Sequence, residues 1–150
     1  HGTLELLLAT PARERDLVLA KFIAGMALIA TMLAPTLAYP LVLALYGHPD
    51  WGPVYSGYLG LGLLSAMLNA MGLALSATTA NQVVAATLAI GLSLLLWMID
   101  TLAAVLPAPW DEIILHCSLL AHFQPFATGA MFLSDGGFFV IGTLLGLFLA

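Results

Sequence analysis

The side chains that could do chemistry in this chain are few and scattered. His116, Cys117 and His122 offer two imidazoles and a thiol close together in sequence. A bound zinc wants three or four ligands at recognisable spacings, and His-Cys-x4-His matches none of them, so no metal site is expected. Asp100 interrupts an apolar run, where an ionisable group suggests proton transfer. At 1.5 Å per residue it stands about 25 Å along a helix from Val83, which favours a place near the end of that helix. Lys21 is the single lysine, and no glycines flank it to form a phosphate-cradling loop of the Gly-x-x-x-x-Gly-Lys-Ser/Thr kind. No paired carboxylates and no nucleophile–base set are recognisable, so the chain is not expected to be an enzyme.

Composition constrains the elements that must carry these side chains. Of 150 residues, 62% are apolar and 7% charged, and the mean hydropathy is +1.07. Soluble domains carry about 25% charged residues, so this chain cannot clothe a water-facing surface. Glycine at 14 and proline at 8 are too few for a disordered or collagen-like chain, and one cysteine forms no internal disulfide. A net charge of -5 invites no nucleic acid.

Bilayer arithmetic then sets the spans. Phe22 to Tyr46 makes a helix of about 37 Å, enough to cross a hydrocarbon core of roughly 30 Å. The uncharged run Trp51 to Ile99 would be about 73 Å as one helix, so it must fold back. Its polar interruption, Ser76 to Gln82, supplies the turn, because Ser, Thr and Asn offer the backbone alternative hydrogen bonds. Spans are therefore predicted at about 17–46, 54–75, 83–106 and 135–150. Pro35 and Pro40 should kink the first of these. The segment 107–134 is apolar but broken by His116, His122, Gln124 and Pro125. It is predicted as an outer re-entrant segment of two short helices, about 110–120 and 125–133, with Pro125 opening the second and Ser134 or Asp135 capping the last span. The fold class is an all-α, polytopic transmembrane helical bundle.

All the basic residues, Arg13, Arg15 and Lys21, precede the first span. They set the orientation, with this end cytoplasmic and the 47–53 loop outside. Tyr39, Tyr46, Trp51, Tyr55 and Tyr58 gather toward that outer loop, where amphipathic rings sit at headgroup level. Ala66, Ala70 and Ala74, and Gly142 with Gly146, repeat at four-residue spacing and could let helices pack closely, with Asn69 as an interhelical hydrogen-bonding group. At the N-terminus, Leu4, Leu7 and Leu8 share one helical face, and Thr10-Pro11 reads as the cap and first position of a second helix. Such a short amphipathic helix over 2–11 could lie on lipid as an anchor or seat against a protein partner.

Gly2-Thr3-Leu4-Glu5-Leu6-Leu7-Leu8-Ala9-Thr10-Pro11, followed by Asp16 to Phe22, resembles the "GTLE-LL-TP…GK" segment of ABC-transporter permeases of the type-2 export family. Asn81-Gln82-Val83-Val84-Ala85, Asp50-Trp51-Gly52-Pro53-Val54, Leu119 to Phe123 and Phe126 to Gly129 are similar to its gliding-motility and nitrous-oxide-reductase-maturation branch. Ala20, Ala80 and Asp100 depart from the usual pattern. The resemblance implies a six-span permease whose coupling helix seats in a cytoplasmic ATPase. Residues 2–11 would be that helix, with Gly2, Thr3, Leu4, Glu5, Leu7, Leu8, Thr10 and Pro11 as the ATPase-coupling set. The four spans here would be the third to sixth of a single permease domain, 1–150. His1 in place of Met and the short final run add to the expectation of a fragment, lacking two spans before His1 and part of one after Ala150.

The expected function is the membrane subunit of an ATP-driven ABC exporter in the bacterial cytoplasmic (inner) membrane. Its partners would be the ATPase, a second permease copy or paralogue, and membrane lipid. With no phosphate loop here, the chain would hold no cofactor, and ATP and Mg would be bound by the partner subunit. Few ionisable residues line the spans, which disfavours ion-driven transport. The alternative is a non-transporting integral membrane scaffold or assembly subunit whose N-terminal helix only anchors at the interface.

Overall fold

The computed structural model describes residues 14–103 and 114–150. The coupling-helix residues Gly2, Thr3, Leu4, Glu5, Leu7, Leu8, Thr10 and Pro11, together with Arg13, lie outside the described residues, as do 104–106 of the third predicted span and 107–113 of the re-entrant segment. The described residues form helices and no strands. In chain order these are α1 (Glu14–Leu33), a 3-10 turn (Ala34–Leu37), α2 (Ala38–Tyr46), α3 (Trp51–Thr78), α4 (Gln82–Ala103), α5 (Leu119–Thr128) and α6 (Leu133–Leu149).

Among the described residues, three helical stretches are long and apolar enough to cross a membrane: Arg15–Tyr46 with 32 residues, Trp51–Thr78 with 28 and Gln82–Thr101 with 20. The first is interrupted by the 3-10 turn, which places Pro35 at its opening positions. A proline ring cannot donate into the ladder and crowds the turn before it, so the α-helical pattern gives way there. α6 has 17 residues, mostly apolar, and is about 26 Å long.

α3 is longer at both ends than the 54–75 expected from hydropathy. At its start, the Asp50 carboxylate accepts from the Gly52 N–H at 3.0 Å. Pro53 sits in the first turn, where a missing N–H costs nothing. At the other end the polar Ser76 to Thr78 stays helical, with the Thr78 hydroxyl donating back to the Leu75 carbonyl at 2.8 Å. The hairpin is thereby reduced to Thr79–Asn81, and Asn81 starts α4 by accepting from the Val83 N–H at 2.9 Å.

Three local expectations are corrected. Pro125 lies inside α5 rather than opening a helix. The start is set earlier, by Ser118, whose hydroxyl accepts from the Ala121 N–H at 3.1 Å. Ser118 also breaks any continuous 110–120 helix, since its backbone is extended. The stop comes at Gly129, whose φ of 88° is the left-handed conformation that glycine adopts without strain. The last helix then begins at Leu133 behind an extended Phe132, with neither Ser134 nor Asp135 capping it. Asp135 falls in the first turn, where its charge still suits the helix dipole.

α3 is the hub, packing against α6, α5, α4 and α1. Leu64 and Met67 of α3 meet Leu119 and Phe126 of α5 and Phe139 of α6 in one buried cluster. Away from it the surface is apolar, including Ile23, Met32, Leu45, Val83, Ile90, Met98 and Phe148. An aqueous surface does not tolerate apolar area on this scale, whereas a bilayer solvates it.

Candidate functional site

The polar atoms of a membrane bundle matter most where they tie helices together, because lipid offers them no alternative partner. Three such ties radiate from α3. The Asn69 side-chain amide donates to the Phe22 carbonyl of α1 at 3.0 Å. Its neighbour on the facing helix is Gly25, where an added Cβ would come within 2.6 Å of the amide. The asparagine therefore needs a glycine opposite it to reach the α1 backbone. Nearer the Trp51 end, the hydroxyls of Thr36 and Tyr58 share a hydrogen bond of 2.9 Å, joining the 3-10 turn to α3. Thr36 also donates to the Leu33 carbonyl at 2.6 Å.

The third tie is the most buried. Ser56 has no exposed surface, and its hydroxyl donates to the Phe126 carbonyl of α5 at 2.6 Å. That carbonyl lies in the last turn of α5, where helical partners run out. The Gly129 N–H reaches it only at 3.4 Å, so Ser56 satisfies a group the helix end leaves weakly bonded. Gly60, one turn on, brings the α3 backbone against the Phe126 and Phe123 rings, and its added Cβ would meet Phe126 at 2.7 Å. Gly129 packs on Pro53 in the same way.

The α3–α6 seam uses small residues. A Cβ on Gly146 would lie 2.9 Å from the Ala70 backbone and methyl, and one on Gly142 would lie 2.7 Å from the end of Met67. Ala70 is fully buried, while Ala66 and Ala74 are half-buried. The structure thus brings Ala70 and Gly146 into direct contact, places Gly142 one turn away on Met67, and turns Asn69 toward α1. Ser56, Gly60, Gly25 and Thr36 were not singled out from the sequence, and Tyr58 was read only as one of the aromatic residues near the outer loop. Ser56 and Gly60 are themselves small residues at four-residue spacing, a signal that was available.

The remaining polar residues do not converge. Among the described residues no three His, Cys, Asp or Glu side chains come together as metal ligands. His122 stacks on Phe138 with ring centroids 4.1 Å apart and donates from Nδ1 to the Ser118 carbonyl at 2.9 Å. His116 and Cys117 are exposed. Asp100 is half-buried in the last turn of α4. Arg15 and Lys21 are exposed on α1, at the end opposite Trp51.

Between α2 and α3 lies a cleft of about 540 Å³, walled by Tyr39, Pro40 and Leu43 on one side and Pro53, Val54, Gly57, Tyr58 and Leu61 on the other. One of its wall residues, Tyr58, is the one hydrogen-bonded to Thr36 of the 3-10 turn.

Fold and contacts define a multi-pass, all-helical membrane protein whose central helix ties its neighbours by backbone-directed hydrogen bonds and small-residue seams. The chain belongs to the ABC-2 family: the family model described as "ABC-2 family transporter protein" matches residues 1–144. It is accordingly a permease subunit of an ABC transporter, a class of membrane domain that generally partners with an ATPase subunit. No curated protein and no solved structure matches it.

Proposed function

We propose that the chain is the membrane-spanning permease of an ATP-driven exporter, in the branch typified by gliding-motility and nitrous-oxide-reductase-maturation permeases. It works as a pair of permeases, identical or paralogous, with two ATPase subunits in the bacterial inner membrane. The observation that carries this reading is the family match over residues 1–144. It is supported by the sequence, which has no phosphate-binding loop, so that ATP and Mg belong to the partner. The cluster Arg13, Arg15 and Lys21 supports a cytoplasmic N-terminal end, by the positive-inside rule.

In this reading residues 2–11 form the coupling helix, and closure of the ATPases pushes on it. The push passes into α1, which follows directly in sequence. Asn69 and Gly25 hold α1 against α3, so movement there becomes rigid-body tilting of packed helices, one of the general ways a small displacement is amplified. Access then alternates along a path between the permeases.

The test is co-purification. In the full-length protein, Glu5→Ala together with Leu8→Ala should release the ATPase subunit and abolish transport-linked ATP hydrolysis while leaving the permease folded. Unchanged ATPase binding and transport would assign residues 2–11 to membrane anchoring and would favour the scaffold alternative.

A further inference from the structure

Arg15 and Lys21, the cations among the described residues, do more than mark one end of the chain: each lines a cavity. Lys21 borders a cleft of about 260 Å³ between α1 and α3, with Val18, Leu73, Ser76 and Ala77. Arg15 borders a second, of about 510 Å³, between α1 and the end of α6, with Val18, Leu19, Leu144, Leu147 and Phe148. Val18 and Ala150 are common to both. At about 100° per residue, Arg15, Val18 and Lys21 fan out in steps of about 60° on one side of α1. The two charges therefore flank the valine at which the clefts meet.

Charge and depth together name an occupant. Arg15 opens the first membrane-crossing stretch, and Lys21 lies about 9 Å further along it. That places the ammonium at the boundary between headgroups and hydrocarbon, where a charge without a counter-ion is costly. No acidic side chain of the described residues lines either cleft. Asp16 is exposed and borders neither, and α3 carries no charge from Trp51 to Thr78. Ser76 adds a hydroxyl beside Lys21, while Leu144, Leu147 and Phe148 give the Arg15 cleft a hydrocarbon wall. An apolar helix seated there would leave both cations unpaired, and a free phosphate would leave the apolar wall uncovered. An amphiphile with an anionic head matches both halves.

We propose that the joined clefts bind an anionic phospholipid, with its phosphate between Arg15 and Lys21, the Ser76 hydroxyl donating to it, and an acyl chain against Leu144 and Phe148. Only calling this the cytoplasmic leaflet rests on the orientation given under Proposed function. Bound there, the lipid ties the start of α1 to the ends of α3 and α6.

The full-length permease with its ATPase is purified in neutral detergent and titrated with phosphatidylglycerol or phosphatidylcholine of the same acyl chains, and retained lipids are counted by native mass spectrometry. The parent should retain phosphatidylglycerol several-fold more than phosphatidylcholine. Arg15→Ala together with Lys21→Ala should abolish that preference, and Lys21→Arg should keep it. Gln82→Ala, at the same end of the bundle but on neither cleft, should leave it unchanged. Since basic residues also direct insertion, Ser76→Trp fills the Lys21 cleft without altering charge and should lower the preference several-fold as well. Added inorganic phosphate should leave the lipid in place. Equal retention of the two lipids, a preference that survives either the double variant or Ser76→Trp, or displacement of the lipid by inorganic phosphate would each overturn the proposal. So would a fall in thermal midpoint for the double variant that is the same in both lipids, since the cations would then serve only the helix ends.

Discussion

The two flanks of α3 are built differently. Toward α5 and α6 it presents a dry seam: Gly142 and Gly146 against Met67 and Ala70, Gly60 against Phe126, and a Ser56 hydroxyl buried on a carbonyl. Toward the first span it makes two hydrogen bonds, at Asn69 and Tyr58, then parts from α2 altogether around a cleft. Close-packed interiors resist shape change, whereas a helix broken at a 3-10 turn and held at two points can pivot. The contrast assigns the α3–α5–α6 unit to the frame and the first span to the moving part.

Substitutions can break or sharpen that contrast. The largest effect should come from Gly146→Leu, which drives a side chain into the Ala70 backbone at the centre of the frame. Overpacking of this kind costs about 1–3 kcal/mol, read by equilibrium unfolding of the full-length protein in mixed micelles. A loss smaller than that of Asn69→Leu would show that α6 is not part of the frame. Next, Ser56→Ala should cost about 1–2 kcal/mol in the same assay, because the Phe126 carbonyl is left buried with a poor partner. On the other flank, Asn69→Leu should cost only about 0.6 kcal/mol, the usual worth of one interhelical bond in a membrane. The smallest change is expected for Tyr58→Phe, which removes one hydroxyl from a half-buried pair. Its unfolding midpoint should stay near that of the parent while spin labels on α2 report a broader range of positions relative to α3.

Much of the frame was legible in the sequence, and the reasons differ by residue. Hydropathy and length located the helices, because lipid leaves the backbone no structure but a helix in this chain. The four-residue spacing of small residues pointed to Ala70, Gly142 and Gly146, as the helical repeat puts such positions on one face. Element ends were less legible. Ser118 and Asp50 start their helices through single side-chain bonds, and hydropathy does not register a cap. Pro125 read as a helix start because proline favours that position, yet Ser118 had already begun the turn seven residues earlier. Gly25 and the Thr36–Tyr58 pair were missed for a different reason: they acquire meaning only from a partner 44 and 22 positions away, which no local pattern contains. The coupling role expected for residues 2–11 concerns a partner chain and lies outside the described residues.

The central claim is that energy from a partner ATPase reaches this chain and moves the first span against a fixed frame. The direct measurement is a pair of spin-label distances in the full-length permease–ATPase complex, one between α2 and α3 at Leu45 and Leu59, the other between α3 and α6 at Leu59 and Ile141. Each is recorded without nucleotide and with ATP trapped at the ATPase. The account predicts that the α2–α3 distance shifts with nucleotide while the α3–α6 distance stays constant. Distances that ignore nucleotide altogether, or an α3–α6 seam that opens while α2 stays fixed to α3, would contradict it.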